Sequence, residues 1–339
     1  MLMTDYLISS KFEDILGQDE TKKQLKSALL MNRNVIIVGP PGIGKTTLAK
    51  NIAKLLKPIK ANNCQYHCDP DNPLCPECKT SKKEIIELAG IKRFIRIQGS
   101  PDLTAEDLLG DIDPIKALKF GPLSIEAFTP GKIFKANRGV LFFDELNRCP
   151  EKLQNALLQV LEEGKATIGS YDVELPANFI FIGSMNPEDF AGTERLSEVL
   201  LDRFDIIYME YPESPAIEKD IVKAKGNKID SITFPENLLD LTLNFIRALR
   251  QNSDLERAPS VRASLGLYER AQSNALLENN KIVALNNIKS AILSVLSHRI
   301  RLKPSIKYLK TPNLFLEESF DKYIEESDYK EKEKSGDFL

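Results

Sequence analysis

The feature that most constrains this chain is the stretch VIIVGPPGIGKTTLAK, residues 35–50. A short apolar run leads into a glycine-rich turn, and apolar residues at helical spacing follow it. The spacing of a phosphate-binding loop is met by Gly39, Gly44, Lys45 and Thr46. Glycines let such a loop turn its N–H groups inward, and the following helix directs the positive end of its dipole at an anion. A chance match is the alternative, but the flanking strand and helix make it rare, so the sequence predicts a phosphate site.

The same loop supplies candidates for most parts of a nucleotide site. Lys45 carries the charge for the β- and γ-phosphates, and the Thr46 hydroxyl is a ligand for Mg²⁺. The residues that we expect to contact the nucleotide are Gly39, Pro40, Pro41, Gly42, Ile43, Gly44, Lys45, Thr46 and Thr47. Hydrolysis needs a base for the attacking water as well, which must come from elsewhere in the chain.

A second apolar run, GVLFFDE, ends in Asp144 and Glu145. A continuous apolar run is typical of a central parallel strand that is covered on both faces, and ligands of such sheets lie at the carboxyl ends of the strands. Asp144 is then predicted to hold Mg²⁺, directly or through water, and Glu145 to deprotonate the water that attacks the γ-phosphate. The alternative is an ordinary strand end with a solvated pair of acids.

Three further polar residues suit the same kind of site. The strand-like run NFIFIGSMNP carries Asn186, an amide able to hold the attacking water, and Arg262 opens an amphipathic helical pattern near the C-terminus. Arg203 lies in the segment LLDRFD. An arginine beside an acid is usually a surface ion pair, so pairing with Asp202 or Asp205 is the alternative to a catalytic role for Arg203.

Together these motifs resemble those of the AAA+ ATPases, with Walker A at residues 39–46 and Walker B at residues 141–145. The resemblance implies that Asn186 is sensor 1 and that Arg262 is sensor 2. It also implies that Arg203 is the arginine finger, which reaches into the site of a neighbouring subunit.

The segment that precedes Walker A, FEDILGQDETKKQL, resembles the part of these ATPases that touches adenine. Ile15 and Leu16 are the candidates for that contact. The resemblance to the superfamily covers about residues 12–302 and therefore extends well beyond the phosphate loop.

The middle of the chain resembles the MoxR and magnesium-chelatase I subunit group. Residues 107–118 and 128–145 look like the I subunit, whereas residues 144–169 and 192–205 follow MoxR, with Ser197 where MoxR usually has proline. Members typically form rings, often hexameric, and many work with a partner that bears a von Willebrand factor A domain. The resemblance implies ATP, ADP and Mg²⁺ as ligands of this chain.

The predicted fold is α/β, an AAA+ P-loop core with a parallel sheet and helices on both faces, followed by an all-helical lid. We place the core at residues 1–211, the lid at 212–310 and a charged tail at 311–339. The tail is predicted to be a solvated helix with a frayed end, and a partner-docking segment is the alternative. Within the core, the resemblance implies a helix-2 insert at 105–131 and a hairpin before sensor 1 at 165–175.

Four of the five cysteines fall in the pattern C-x3-C-x6-C-x2-C, as Cys64, Cys68, Cys75 and Cys78. Four thiolates at this spacing fit a tetrahedral Zn²⁺ ion, with His67 as a substitute ligand, and leave no open position for catalysis. Free thiols without a metal, or disulfides, are the alternatives. We expect a structural zinc site that braces an insertion at residues 58–92.

Composition narrows the function. The net charge of −3 disfavours a nucleic-acid-coating surface, and no apolar run approaches the ~18 residues that cross a bilayer. The N-terminal segment lacks the pattern of a secretory signal, so we expect a cytoplasmic protein. Three functions stay open: a ring ATPase that remodels or activates a protein partner, the ATPase subunit of a magnesium or cobalt chelatase, and a nucleic-acid-associated or clamp-loader-like motor.

Overall fold

A computed structural model describes residues 4–122, 124–168, 171–187 and 196–327. The chain divides into two compact units. The first comprises Met1–Pro40 and Gly44–Met209, and the second comprises Pro41–Ile43 and Glu210–Leu339. Each helix of the described residues is too short or too polar to span a bilayer.

The first unit alternates strands and helices. Its helices are α1 Thr4–Ser9, α2 Asp19–Leu30, α3 Lys45–Leu55, α4 Pro76–Thr80, α5 Ala105–Leu108, α6 Pro114–Phe120, α7 Lys132–Lys135, α8 Glu151–Glu163 and α9 Glu198–Leu201. Its strands are β1 Asn34–Val38, β2 Ile59–Asn62, β3 Ile85–Leu88, β4 Phe94–Gln98, β5 Gly110–Ile112, β6 Phe128–Pro130, β7 Val140–Asp144, β8 Lys165–Ile168, β9 Tyr171–Pro176, β10 Ile180–Met185 and β11 Phe204–Tyr208.

Five of these strands form one parallel sheet in the order β11-β1-β10-β7-β4. Successive residues of β1 and β7 are buried, although their side chains point to alternating faces. Both faces of the sheet are therefore covered, as the apolar runs indicate. The predicted fold class is confirmed: a parallel α/β sheet is followed along the chain by a helical region.

Besides the antiparallel pair that β2 and β3 form on either side of residues 63–84, two small hairpins of the first unit lie outside this sheet. In the first, β5 pairs with β6 in antiparallel fashion, with Gly110 opposite Pro130. Gly110 has a φ of 122°, and an added Cβ would lie 2.3 Å from the Thr129 carbonyl oxygen, so only glycine fits there. In the second hairpin, β8 pairs with β9, and residues 169–170 between them lie outside the described part of the chain.

The second unit is mainly helical. Its helices are α10 Pro215–Lys225, α11 Glu236–Gln251, α12 Val261–Leu277, α13 Leu285–Leu296, α14 Pro304–Lys307 and α15 Pro312–Glu326, and its strands are β12 Leu255–Arg257 and β13 Arg301–Leu302. The two strands form a small antiparallel pair.

The C-terminal helix α15 differs from the solvated helix that the charged tail predicts. It buries an apolar stripe in the core of the second unit, made of Phe315, Leu316, Phe320 and Ile324. The ring of Phe320 meets that of Phe245 on α11 edge to face, with centroids 5.0 Å apart. Five acids and Lys322 occupy many of the other positions of this helix, so its composition does not reveal the stripe. Residues 328–339 lie outside the described part of the chain.

Candidate active site

The phosphate loop starts where β1 ends, and its first glycine is fixed by close backbone contacts. The Gly39 N–H donates to the Met185 carbonyl oxygen at 3.2 Å, which links the loop to the end of β10. A Cβ at Gly39 would lie 2.3 Å from the Met209 carbonyl oxygen, so a larger residue would displace the loop. At the other end, Gly44 precedes α3 with a φ of 108°, a conformation that favours glycine. Both glycines are thus required by the path of the backbone.

Lys45 is the first residue of α3, and its ammonium folds back over the loop. Nζ donates to the Pro40 carbonyl oxygen at 3.0 Å and to the Gly39 carbonyl oxygen. Ile15 is buried against the same loop, with its Cδ1 atom 3.5 Å from the position of a Cβ at Gly44. Leu16, Thr46 and Thr47, which were also predicted to be ligand contacts, are half-buried.

The two acids that follow β7 share one hydroxyl group. Ser184 on β10 donates its hydroxyl to Asp144 Oδ1 at 2.5 Å, and Ser184 Oγ in turn accepts a hydrogen bond from the Glu145 N–H at 3.1 Å. Glu145 has a φ of 54°, which turns the chain sharply after the strand. An added Cβ at Gly99 would lie 2.0 Å from the Glu145 carbonyl oxygen, so the chain after β4 closes tightly on this turn. The backbone of the turn that carries both acids is therefore held in place.

Each carboxylate also has a partner on the edge strand β4 or just after β7. Arg96 lies 2.5 Å from Asp144 Oδ2, and Gln98 donates to Glu145 Oε2 at 2.9 Å. Arg148 pairs with the same Glu145 oxygen at 3.2 Å. Arg96 and Gln98 point to one face of β4, where Gln98 is in register with Asp144.

The sequence motifs did not identify Ser184, Arg96, Gln98 or Arg148. A signal for two of them was present, because FIRIQ alternates apolar and polar residues and places Arg96 and Gln98 on one face of a strand end. Their partners could be recognised only once β4 was known to pair with β7.

The predicted sensor 1, Asn186, comes directly after β10 and is half-buried. Because β10 lies between β1 and β7 in a parallel sheet, Asn186 emerges at the same edge as the phosphate loop and the acid pair. The structure thus places the ends of three neighbouring strands, with their predicted site residues, along one edge of the first unit.

Arg203 follows α9 and pairs with Glu162 on α8. It also donates to the Val199 carbonyl oxygen at 2.5 Å. The alternative partners that the sequence suggests for it, Asp202 and Asp205, are not the ones that it contacts, and Asp205 instead pairs with Arg33 at 3.0 Å. The Arg203–Glu162 pair is partly exposed on both sides, so the guanidinium is accessible.

Arg262 belongs to the second unit, on the first turn of α12. Within that unit its side chain lies against Gly42, since a Cβ at Gly42 would be 2.9 Å from Arg262 Cδ. Burial, and then the nearby charge of Arg262, lower the pKa of Arg299.

The four cysteines of the sequence motif come together in the first unit. All four sulfur atoms lie within 4.8 Å of one another, and His67 is not part of this group. Three of the thiols are buried, and Cys64 is half-buried. The N–H groups of Leu74 and Cys75 each donate to the sulfur of Cys68 at 3.4 Å. Sulfurs around a tetrahedral Zn²⁺ with bonds of about 2.3 Å are about 3.8 Å apart, so the cluster fits this ion with a small contraction.

The thiols of this cluster compete for protons. A hydrogen bond with Cys68 lowers the pKa of Cys64 to about 5, whereas the same bond and burial raise the pKa of Cys68. Burial raises the pKa of Cys78 to about 12. A bound cation would favour the thiolate form of all four, because it supplies the positive charge that the cluster lacks.

Three family models match different parts of the chain. Residues 74–206 match the ATPase family associated with various cellular activities (AAA). Residues 11–67 match magnesium chelatase, subunit ChlI, and residues 247–317 match the AAA lid domain.

Individual relatives match over most of their length. A magnesium-chelatase subunit ChlI homolog of Methanocaldococcus jannaschii is 29% identical over 336 residues, covering 90% of this chain and 88% of that protein. The chloroplastic magnesium-chelatase subunit ChlI of Glycine max is 30% identical over 332 residues, covering 86% and 75%. A chain of the complex between subunits BchI and BchD of magnesium chelatase has a TM-score of 0.50 and 23% identity, covering 88% and 98%. At that identity the structural likeness supports the fold alone.

Proposed function

Because this chain belongs to the AAA+ ATPases of the MoxR and magnesium-chelatase I subunit group, we propose that it hydrolyses ATP as a motor that acts on a protein partner. The observation that carries this proposal is the edge formed by the ends of β1, β10 and β7. Lys45, Asn186 and the acid pair Asp144 and Glu145 follow these three strands. ATP hydrolysis needs groups that bind the phosphates and Mg²⁺, hold the attacking water and remove its proton, and these residues are of the types that can do so.

The loop residues fit a triphosphate by their own chemistry. The backbone at Gly39 leaves no room for a side chain, and the Lys45 ammonium rests on loop carbonyl oxygens that phosphate oxygens can replace. Thr46 and Asp144 are the proposed ligands of Mg²⁺, and the ion would add positive charge against the β- and γ-phosphates. Asp144 must exchange the Arg96 guanidinium for the metal or its water shell.

Glu145 is the proposed base. Its carboxylate is held by Gln98 and Arg148, two partners with flexible side chains, while its backbone is fixed by Ser184. Rotation of the side chain away from Gln98 leaves the turn itself in place and frees an oxygen to accept a proton from water. The proton therefore moves to Glu145 Oε2 or Oε1, and Asn186 is proposed to hold the water during this step.

We place Arg203 at the site of a neighbouring copy in a ring, often a hexamer in this group. Its guanidinium lies just after the end of α9 and is accessible. This supports the role, because an arginine finger must extend beyond its own chain to reach the γ-phosphate bound by a neighbour. Arg262 is the proposed sensor 2. Both roles are proposed from the family resemblance, from the exposure of Arg203 and from the position of Arg262 on the first turn of α12.

The partner of the motor is proposed to be a protein that bears a von Willebrand factor A domain. A second candidate function is the ATPase subunit of a chelatase, which the names of the relatives from Methanocaldococcus jannaschii and Glycine max favour. The net charge of −3 disfavours the third alternative, a nucleic-acid motor.

The cysteine cluster is proposed to hold one structural Zn²⁺ through Cys64, Cys68, Cys75 and Cys78. The ion would link the segments on either side of the loop 69–74, since two ligands lie before this loop and two after it. Cys68, Cys75 and Cys78 also belong to the buried core of the first unit, so metal binding and folding of this unit should be coupled.

The proposed function is tested by capture of the partner. A Glu145→Gln protein should bind ATP without turning it over and so hold its partner for identification after pull-down. Wild-type protein with ADP is the matched control. Recovery of a von Willebrand A protein supports the remodelling motor, recovery together with tetrapyrrole-dependent metal insertion supports the chelatase, and the absence of ATP hydrolysis by wild type would overturn both.

A further inference from the structure

The second unit contains a fully buried carboxylate, Glu218 on α10. Arg250 of α11 binds both of its oxygens at 2.7 Å, and Arg247 lies 3.5 Å from Oε2. Ser264 of α12 donates its hydroxyl to Oε1 at 2.5 Å. A buried charge is tolerated only with such a set of partners, because water is not there to solvate it.

The two arginines also hold backbone segments outside the ion pair. Arg250 Nε donates to the Pro259 carbonyl oxygen at 2.8 Å, and its guanidinium lies 4.6 Å from the ring centroid of Tyr211. Arg247 donates to the carbonyl oxygens of Pro212 and Glu213 at 2.8 and 3.2 Å. The network therefore joins the segment before α10, the last turns of α11 and the beginning of α12.

Two of these anchors flank Arg262. Pro259 precedes it by three residues, and Ser264 follows it by two. The residue at the N-cap of α12, Ser260, makes no capping hydrogen bond with its side chain. The first turn of α12 thus lacks the usual side-chain cap and is held from outside by the ion pair.

We propose that the buried Glu218–Arg250 pair is a positioning element that fixes Arg262 through the first turn of α12. A buried ion pair adds little stability compared with apolar residues of the same volume, but a two-pronged guanidinium–carboxylate contact fixes orientation. An arginine side chain has many rotamers, so its head can be placed only if its backbone is held. This inference rests on the proposed function, because it assigns to Arg262 a role in ATP hydrolysis.

The test compares the effect of Glu218→Gln in two backgrounds. In the wild-type chain it should lower kcat for ATP about fivefold or more, and in an Arg262→Ala chain it should cost less than about twofold. The reason is that a residue acting through Arg262 has nothing to position once that side chain is gone. An equal fold-loss in both backgrounds would overturn the proposal.

Gln272→Leu is the matched control on the same helix. Gln272 is fully buried and bonds to the Tyr268 and Asn227 carbonyl oxygens and to the Ile229 N–H, about 15 Å along α12 from Arg262. It should lower the melting temperature and change kcat by less than about twofold. If it lowers kcat as much as Glu218→Gln does, general loosening of the unit explains the effect and the proposal fails.

Hydrogen exchange gives a readout that needs no ATPase activity. Exchange of a peptide that covers residues 259–266 should rise about tenfold in Glu218→Gln and stay unchanged in Gln272→Leu. Ser264→Ala keeps both charges of the ion pair and should give a smaller rise in the exchange of this peptide. It replaces Glu218→Gln as the test variant if Glu218→Gln does not fold. Unchanged exchange in these variants overturns the positioning role. A wild-type chain without ATPase activity overturns the proposed function, while the exchange result still decides the anchoring of α12.

Discussion

The acid pair after β7 and the cysteine cluster are both groups of potential anions in the first unit, but they are built in opposite ways. Asp144 and Glu145 face partners with exposed, flexible side chains: Arg96 is 49% exposed and Arg148 is 44% exposed. The thiols of the cluster face one another and backbone N–H groups, and most of them are buried. A site whose partners can leave is suited to binding and turnover, whereas a closed site is suited to holding one ion permanently.

Of these two groups, the open site should show the larger effect. Glu145→Gln should lower ATP turnover by about 10²–10⁴-fold, because an amide of the same shape cannot take a proton from water. ATP binding, measured by calorimetry, should stay close to wild type. Turnover within a few-fold of wild type would remove Glu145 from the role of base and weaken the contrast with the cysteine cluster.

The closed site should respond through stability. Protein purified without chelators should contain about one Zn²⁺ per chain, and Cys75→Ser should release it and lower the melting temperature, because the binding energy of a structural site is also folding energy. Elemental analysis and thermal melts measure both.

Cys149→Ser is the control for this prediction. Cys149 is also buried but is not part of the group of four sulfurs, so this variant should keep its metal. If the wild-type protein contains no metal, and Cys75→Ser melts at the same temperature as the wild type, the result would instead support free thiols.

A smaller effect is expected at Arg96. We expect its guanidinium to compete with Mg²⁺ for Asp144, so Arg96→Gln should lower the Mg²⁺ concentration for half-maximal ATPase activity by about two- to fivefold, the range of a partly exposed ion pair. Arg148→Gln is the control, because Arg148 contacts Glu145 rather than Asp144. A higher Mg²⁺ requirement in Arg96→Gln would show that this arginine supports the metal site rather than competing with it.

The elements of the open site that the sequence predicts are those encoded by local spacing. The glycines and Lys45 stand within one loop, and Asp144 and Glu145 end one apolar run, so neighbours along the chain are sufficient to recognise them. The parallel sheet follows from the same runs. The closeness of the four cysteines was predictable for the same reason, since all four lie in one short segment.

Contacts between distant segments could not be predicted in this way. Gln98 and Glu145 are brought together only by the pairing of β4 with β7, and Ser184 meets Asp144 only because β10 adjoins β7. The Glu218–Arg250 pair likewise depends on how α10 and α11 pack. The buried stripe of α15, which includes Phe320, could not be recognised among the charged residues of the tail. It is evident only from the packing of the second unit.

The central claim is that the open site is completed by Arg203 of a neighbouring chain, and a mixing experiment tests it most directly. Arg203→Ala should bind ATP and turn it over slowly, since arginine fingers contribute on the order of 10³–10⁵ in rate, and Lys45→Ala should bind ATP weakly. In a ring assembled from equal amounts of the two, about a quarter of the interfaces join an intact loop to an intact finger, so activity should recover to about a quarter of wild type. A mixture no more active than the sum of its parts would contradict the account and leave Arg203 as a surface partner of Glu162.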